Sequence, residues 1–430
     1  MNTLAQELNT LLHGTVAGRL LSDLGKRLYF PRGIIAQSGE ARKLAHRANG
    51  TIGMAYDGGR PLILSAIAEG MPTLSAMEAV AYAPTAGVEA ARTAWRDGIV
   101  KKNPSVDPQK ISLPVVVPGL TAGISYIADL FLDEKSSILI SDPSWDNYGL
   151  IFADRRGASV VEVPFFGNEK GLDLRSIKKA LFEQAKTGAV RVIFNFPNNP
   201  SGYSPTIAEA NALIELIKDV AEKDCDVLVI CDDAYFGLAY ESDIYGESLF
   251  GALSQLHKRV LAVKVDGPTK EDYVWGLRMG FITFGSAGLE PQGYDALVTK
   301  LMGAIRSSVS CSNTPAQYFM LKAQADQRTA GEKERFKEIL RKRYGAVKTL
   351  VQAHENHRVL RALPFNSGYF MSFVCSNVGA ERIRQELLNN YGIGTIALGD
   401  RYLRVAFSSI EEAHIEEVFK TIYEVAEKLA

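Results

Sequence analysis

Lys270 stands eight residues before Arg278 in the run Gly-Pro-Thr-Lys-Glu-Asp-Tyr-Val-Trp-Gly-Leu-Arg that begins at Gly267. A lysine at the end of an apolar strand can form a Schiff base, and an arginine one short loop later can hold a phosphate. Together they suggest a pyridoxal-phosphate site. Taken alone, the pair proves little, since about nine such pairings in ten are solvated surface charge. What stands upstream of it therefore decides.

Four further segments could do chemistry. Gly119-Leu-Thr-Ala-Gly123 follows an apolar run and opens an apolar helix expected over 124–132, so its backbone N–H groups can receive a phosphate; a plain strand-to-helix turn explains it as well. Trp145, in Asp-Pro-Ser-Trp-Asp-Asn-Tyr, offers an indole face for a planar ring, or is a core or interface tryptophan. Asn195-Phe-Pro-Asn-Asn-Pro-Ser-Gly202 is a fixed turn in which the Asn199 amide can donate to a phenolate. Asp232-Asp-Ala-Tyr235 puts a carboxylate and a phenol at one strand end. A buried carboxylate needs a cation, and a pyridinium would serve; a surface or helix-capping aspartate is the competing reading. Neither a G-x-G-x-x-G fingerprint nor a G-x-x-x-x-G-K-[ST] loop is present, which weakens nicotinamide and nucleoside-triphosphate readings.

The elements that must position these residues alternate. Short β-rich apolar runs at 113–117, 137–141, 159–164, 190–195, 227–231, 260–265 and 279–284 are separated by helix-period stretches, the pattern of a mostly parallel sheet covered by helices. Several candidate residues come directly after a run, where ligands bind in open α/β sheets. From about Thr329 the character changes to a charged helix over 332–353, strand-like 369–374 and 402–407, and a terminal helix with Ile415, Val418, Phe419, Ile422 and Val425 at helical spacing. At 430 residues two domains are expected, a small one from 1–60 with 329–430 and a large one from 61–328.

A net charge of −1 gives no reason to expect nucleic acid or an anionic membrane as partner. The four cysteines, Cys225, Cys231, Cys311 and Cys375, lack C-x-x-C spacing and read as reduced thiols. No basic stretch followed by an apolar one opens the chain, and no run reaches the ~20 apolar residues of a membrane span. A soluble, cytoplasmic protein without bound metal is the expectation.

The ordered series Gly119/Thr121, Trp145, Asn199-Pro-Ser-Gly, Asp232-Asp-Ala-Tyr235, Lys270, Arg278 and Tyr402-Leu-Arg404 resembles the class I aminotransferases of the aspartate aminotransferase fold, from about Gly53 to the C-terminus. The resemblance implies an α/β fold of type I among pyridoxal-phosphate enzymes: a mostly parallel seven-stranded sheet with helices on both faces, plus a smaller α+β domain. It also implies pyridoxal 5'-phosphate as cofactor and a homodimer. Lys270 is then the Schiff-base lysine that carries a proton between substrate α-carbon and cofactor. Asp232 keeps the pyridine nitrogen protonated, and Tyr235 and Asn199 hydrogen-bond the phenolate. Trp145 stacks on the ring. Arg278, Thr121 and the backbone at Gly119 and Leu120 form the phosphate cup, joined by Tyr82 of the neighbouring subunit. Arg404 grips the substrate α-carboxylate. Gly53 lies near the substrate, or is a simple turn glycine. Arg306 from the other subunit meets a distal carboxylate, or is no substrate ligand. Phe370 forms an aromatic wall.

Two departures stand out. The family usually has serine where this chain has Gly267, so one phosphate contact is lost and Thr269 is expected to supply another. Its common histidine three residues after the tryptophan is Tyr148, which can still hydrogen-bond Asp232. The expected activity is ping-pong transfer of an α-amino group from an aromatic or dicarboxylic amino acid to a 2-oxo acid such as 2-oxoglutarate. The alternatives are a lyase on the same scaffold, with decarboxylation disfavoured by Arg404, and a non-catalytic regulator.

Overall fold

The computed structural model describes residues 34–430 apart from 52, 71–72 and 168–170, together with Asn2, Thr3, Gln6, Glu7 and Thr10. Residues 11–33 of the expected small domain lie outside the described residues.

The seven expected strands form one sheet: β1 Val115–Val117, β2 Ser137–Asp142, β3 Ser159–Pro164, β4 Ala189–Asn195, β5 Asp226–Asp232, β6 Val260–Asp266 and β7 Gly280–Gly285. Their order is β1-β7-β6-β5-β4-β2-β3, parallel except where β7 pairs with β1 and β6. Both faces of the inner strands are covered, which is why those strands read as continuous apolar runs, while the edge strand β3 is largely exposed. Val117, Ile193, Ile230, Val263 and Val265 share one core with Ile124 and Ile127 of the helix Leu120–Phe131. Their alternates Val116, Val192, Val229 and Ala262 share the opposite core with Leu213, Ile217 and Val220 of the helix Ile207–Ala221. A period of two thus assigns each strand side chain to a face.

The helix after β1 starts at Leu120, four residues before the expected 124. Gly119, at φ 91°, turns the chain directly into it. Gly123 lets the helix approach the sheet, since a Cβ there would lie 3.1 Å from Val265 and 3.3 Å from Val117. The long charged helix also starts early, at Arg328, where the Arg328 N–H donates to Asp326 Oδ1 at 2.8 Å.

A second sheet holds β8 Leu360–Ala362, β9 Phe370–Cys375, β10 Ile396–Leu398 and β11 Tyr402–Ala406, all antiparallel in the order β8-β9-β11-β10. Its core takes in Ile415, Val418, Phe419, Ile422 and Val425 of the terminal helix Glu412–Leu429, the expected stripe. Near the start of the chain, Ala48–Asn49 pairs with Ile393–Gly394, and the buried Gln37 amide exchanges hydrogen bonds with the backbone of Ala397 at 2.8 and 2.9 Å. These contacts bring the helix Ile34–Leu44 against the second sheet. No described helix is long and apolar enough to cross a membrane.

Candidate functional site

The residues of interest cluster where the carboxyl ends of the central strands meet the edge of the second sheet. Asp232 ends β5 and is 3% exposed. Tyr148 Oη donates to its Oδ2 at 2.5 Å, and the Ala234 N–H to its Oδ1 at 3.2 Å. Burial nevertheless pushes the carboxyl up to about 6, against those hydrogen bonds and the nearby Lys270 charge. Such a group lacks a cation in direct contact.

Lys270 lies on the single helical turn Pro268–Glu271 that follows β6, and its Nζ sits 4.7 Å from the Tyr235 ring centre. Desolvation lowers its amine to about 8; Asp232 opposes that shift and Arg278 adds to it. A lysine so placed is partly neutral near physiological pH, as a nucleophilic amine requires. Tyr235 is buried, edge-on to both Tyr369 and Phe370 at 5.4 Å, and burial raises its phenol.

Arg404, on β11, is 2% exposed. Its guanidinium donates to Asn199 Oδ1 at 3.0 Å and Thr51 O at 3.1 Å and lies 4.4 Å from the Phe370 ring centre. Burial lowers it to about 10, and its buried Nε has no hydrogen-bond partner among the described residues. A buried cation with an unused donor is suited to a carboxylate. Asn199 is fixed in turn by its N–H to Asn195 Oδ1 at 2.7 Å. With its amide oxygen committed to Arg404, its amino group is left to donate.

Three glycines shape the far end. A Cβ on Gly119 would lie 2.6 Å from Arg278 Nη2; one on Gly280 would lie 3.1 Å from the Leu120 nitrogen; one on Gly267 would lie 2.9 Å from the Gly280 Cα. Leu120 and Thr121 occupy the first turn of the helix that Gly119 caps, so free N–H groups and the exposed Arg278 converge there. Arg278 is held in the left-handed region at φ 51° and donates to Trp275 O at 3.0 Å. Thr269 is buried, with its hydroxyl on Met279 O at 3.3 Å.

A cleft of about 460 Å³ opens between these groups, lined by Gly53, Trp145, Asn199, Tyr235, Phe370 and Arg404. A Cβ on Gly53 would come within 3.3 Å of Phe370 and 3.5 Å of Tyr235 Oη, so its bareness keeps the cleft open. Trp145 packs edge-on to Tyr148 at 5.5 Å. The residue set fits pyridoxal phosphate: a buried carboxylate for the ring nitrogen, an amine of lowered pKa, donors for the phenolate, and a glycine-rich anion cradle.

Asp232, Lys270, Thr269 and the Gly119–Thr121 and Arg278 group adjoin this cleft without lining it, and two expected residues lie on the exposed surface. Tyr82 is 92% exposed, and Arg306 is exposed at the end of the helix Pro291–Arg306. Others lining it escaped sequence reading: Thr51, Met54 and Tyr56, and Ser38 and Arg42 on the helix Ile34–Leu44. The last two are four residues apart, one helical face, which is the only signal they carry.

Residues 53–422 match the family model for aminotransferase class I and II. The chain is 30% identical over 205 residues to an aspartate aminotransferase of Salmonella typhi, a match that covers 46% of this chain and 48% of that enzyme. Its fold is similar to a crystal structure of an aminotransferase from Anaerococcus prevotii, with TM-score 0.82 and 21% identity, covering 94% of this chain and 98% of that one. It is similar also to the α-aminoadipate aminotransferase of Thermus thermophilus, with TM-score 0.75 and 18% identity, covering 96% and 98%. The geometry of the cleft and a family match spanning most of its length agree, and the chain belongs to the aminotransferase class I and II family.

Proposed function

We propose that the protein uses pyridoxal 5'-phosphate to move the α-amino group of an amino acid to a 2-oxo acid, in two half-reactions of a ping-pong cycle. The reading is carried by one observation: a buried carboxylate, Asp232, ends a central strand beside an amine of lowered pKa, Lys270. When bound, the cofactor supplies a protonated ring that takes up the electron pair released at the substrate α-carbon.

The chain's own residues do the rest. Lys270 would hold the cofactor and, as a free amine of lowered pKa, would carry the proton taken from the substrate α-carbon. Asp232 pairs with the ring nitrogen, supported by Tyr148. Tyr235 and Asn199 donate to the phenolate oxygen. Trp145 covers the ring face. Gly119, Leu120, Thr121, Thr269 and Arg278 hold the phosphate, with Gly267 giving room rather than a hydroxyl. Arg404 binds the α-carboxylate through its guanidinium, which keeps that group in place and disfavours decarboxylation. Gly53 and Phe370 shape the space for the side chain.

For the donor, an acidic amino acid is the better of the two expected classes. Arg42 puts a cation on the cleft wall, and several of the similar proteins are named for aspartate or α-aminoadipate, though others are named for histidinol phosphate. The assembly is a homodimer in which Tyr82 reaches the partner's phosphate and Arg306 its substrate. Support comes from the exposure of Met77, Val80 and Tyr82 at 72, 80 and 92% on one short stretch. Residues 1–60 and 329–430 form the smaller domain and 61–328 the cofactor domain. The cytoplasm suits four free cysteines.

The test is a spectral screen. The purified protein loaded with pyridoxal phosphate should show a visible band that Lys270→Ala abolishes. Glutamate or aspartate should convert that band to the amine form, and 2-oxoglutarate should restore it. A band indifferent to every amino acid would overturn the reading.

A further inference from the structure

On the sheet face turned away from Asp232 lies an ion triad that the reaction does not use. Lys264 is 1% exposed; its Nζ pairs with Asp233 Oδ2 and lies 3.4 Å from Asp266 Oδ2. Alternation puts it there: Val263 and Val265 point into the core beneath the helix Leu120–Phe131, so Lys264 and Asp266 point to the opposite side. Ser248 Oγ donates to Asp233 Oδ2 at 2.7 Å, and Trp95 Nε1 donates to Asp266 Oδ1 at 2.9 Å. The Phe236 ring closes over Nζ at 4.7 Å. Among the described residues Asp266 Oδ2 has no hydrogen-bond partner, and Lys264 is the cation beside it.

A buried ion triad is a weak source of stability, because desolvation offsets most of the attraction. What it does is fix charge at defined places, and the places are telling. Asp233 is the next residue after Asp232, and Asp266 ends the strand four residues before Lys270. In this low-dielectric setting the Asp233 charge acts directly on Asp232 and resists its ionisation.

We propose that Lys264 is a positioning residue for the cofactor site: it cancels the charge of Asp233 from the back of the sheet, so that Asp232 keeps its own charge toward the cleft. This rests on the reading of Asp232 as the partner of a protonated pyridine nitrogen. On the cleft side Asp232 is faced by Tyr148, Tyr235 and Lys270. Behind it stand Lys264, Asp266 and the Cys231 thiol, with Lys102 held off beyond the Phe236 and Trp95 rings and paired to Glu271.

Charge counting supplies the test. One lysine and two aspartates sum to −1; Lys264→Met leaves −2; Lys264→Met with Asp233→Asn returns to −1 without restoring the lysine. Full-length protein loaded with pyridoxal phosphate is desalted across a pH series, and retained cofactor is read from its visible absorbance. Retention falls as Asp232 protonates. Lys264→Met should raise the midpoint of that loss by about 1 pH unit, Asp233→Asn should lower it, and the double variant should return near wild type. Should Lys264→Met fail to fold, Asp233→Asn decides alone, since it keeps the Lys264–Asp266 pair. Unmoved midpoints with lowered melting temperatures would mean packing only and overturn the proposal, as would a double variant no better than the single. Wild type that holds no cofactor, or Asp232→Asn that holds it equally well, would overturn the site reading and this inference together.

Discussion

Tyr148 Oη donates to Asp232 Oδ2 at 2.5 Å, from a segment that follows β2 to a carboxylate that ends β5, two strands away in the sheet. The tyrosine stands where the resembling family commonly has histidine, and it is itself 1% exposed, stacked on Phe152 and edge-on to Trp145. One side chain thus touches both Trp145 and Asp232.

Tyr148→Phe removes a side-chain donor to a buried carboxylate and should cost about 1.5–3 kcal/mol in cofactor affinity, since bonds to charged groups are the stronger class. Spectroscopic titration with pyridoxal phosphate should find binding weakened by at least about tenfold. Unchanged affinity would show that Tyr148 does not support Asp232.

Asp232→Asn should separate stability from function. The folded-state carboxyl is raised from 3.8 to about 6, so its contribution to cofactor-free stability is full below about pH 4 and is lost as pH rises through about 6. Above that the buried charge costs about 3 kcal/mol. The cofactor-free variant should therefore melt higher than wild type at pH 8, with little difference at pH 4, while failing to retain cofactor. Thermal melts at the two pH values, with and without pyridoxal phosphate, check both halves.

Gly267→Ser installs the hydroxyl that the family usually carries, yet it should harm this protein. Its Cβ would come 2.9 Å from the Gly280 Cα and 3.0 Å from the Met279 carbonyl, both backbone atoms that cannot swing aside. Overpacking of this kind costs about 1–3 kcal/mol. A lower melting temperature together with weaker phosphate-dependent binding is the expected result; a gain in affinity would mean that the loop yields.

Arg42→Gln and Arg404→Lys should differ in kind. Arg404 sits buried between Asn199, Thr51 and Phe370, so its loss should lower kcat/KM for every amino donor, by about 10²-fold or more. Arg42 lines the outer cleft wall, so its loss should raise KM for acidic donors by about tenfold and leave neutral donors unchanged. Steady-state kinetics with glutamate and phenylalanine distinguish the two; an equal effect of Arg42→Gln on both donors would rule out a role in side-chain recognition.

Much of this is legible in the sequence. Seven apolar runs, several with chemistry-bearing residues at their ends, determined the alternating α/β architecture, because the inner strands, buried on both faces, leave continuous apolar stretches. The spacing from Gly119 to Arg404 carried the family. Other features needed the tertiary structure, for physical reasons that can be named. Strand order and the reversal of β7 come from pairing between segments far apart in sequence, which no local period encodes. Ser38 and Arg42 reach the cleft only because Gln37 and Ala48–Asn49 bind the distant 393–397 segment. The reason for glycine at 267 is Gly280 packed against it, and the reason for Lys264 in a valine-rich strand is a pair of aspartates on the same face. Sequence alone determined which groups are available and which strand face each takes; three-dimensional proximity decided which charges meet, because Coulomb and contact energies depend on distance through space and not along the chain.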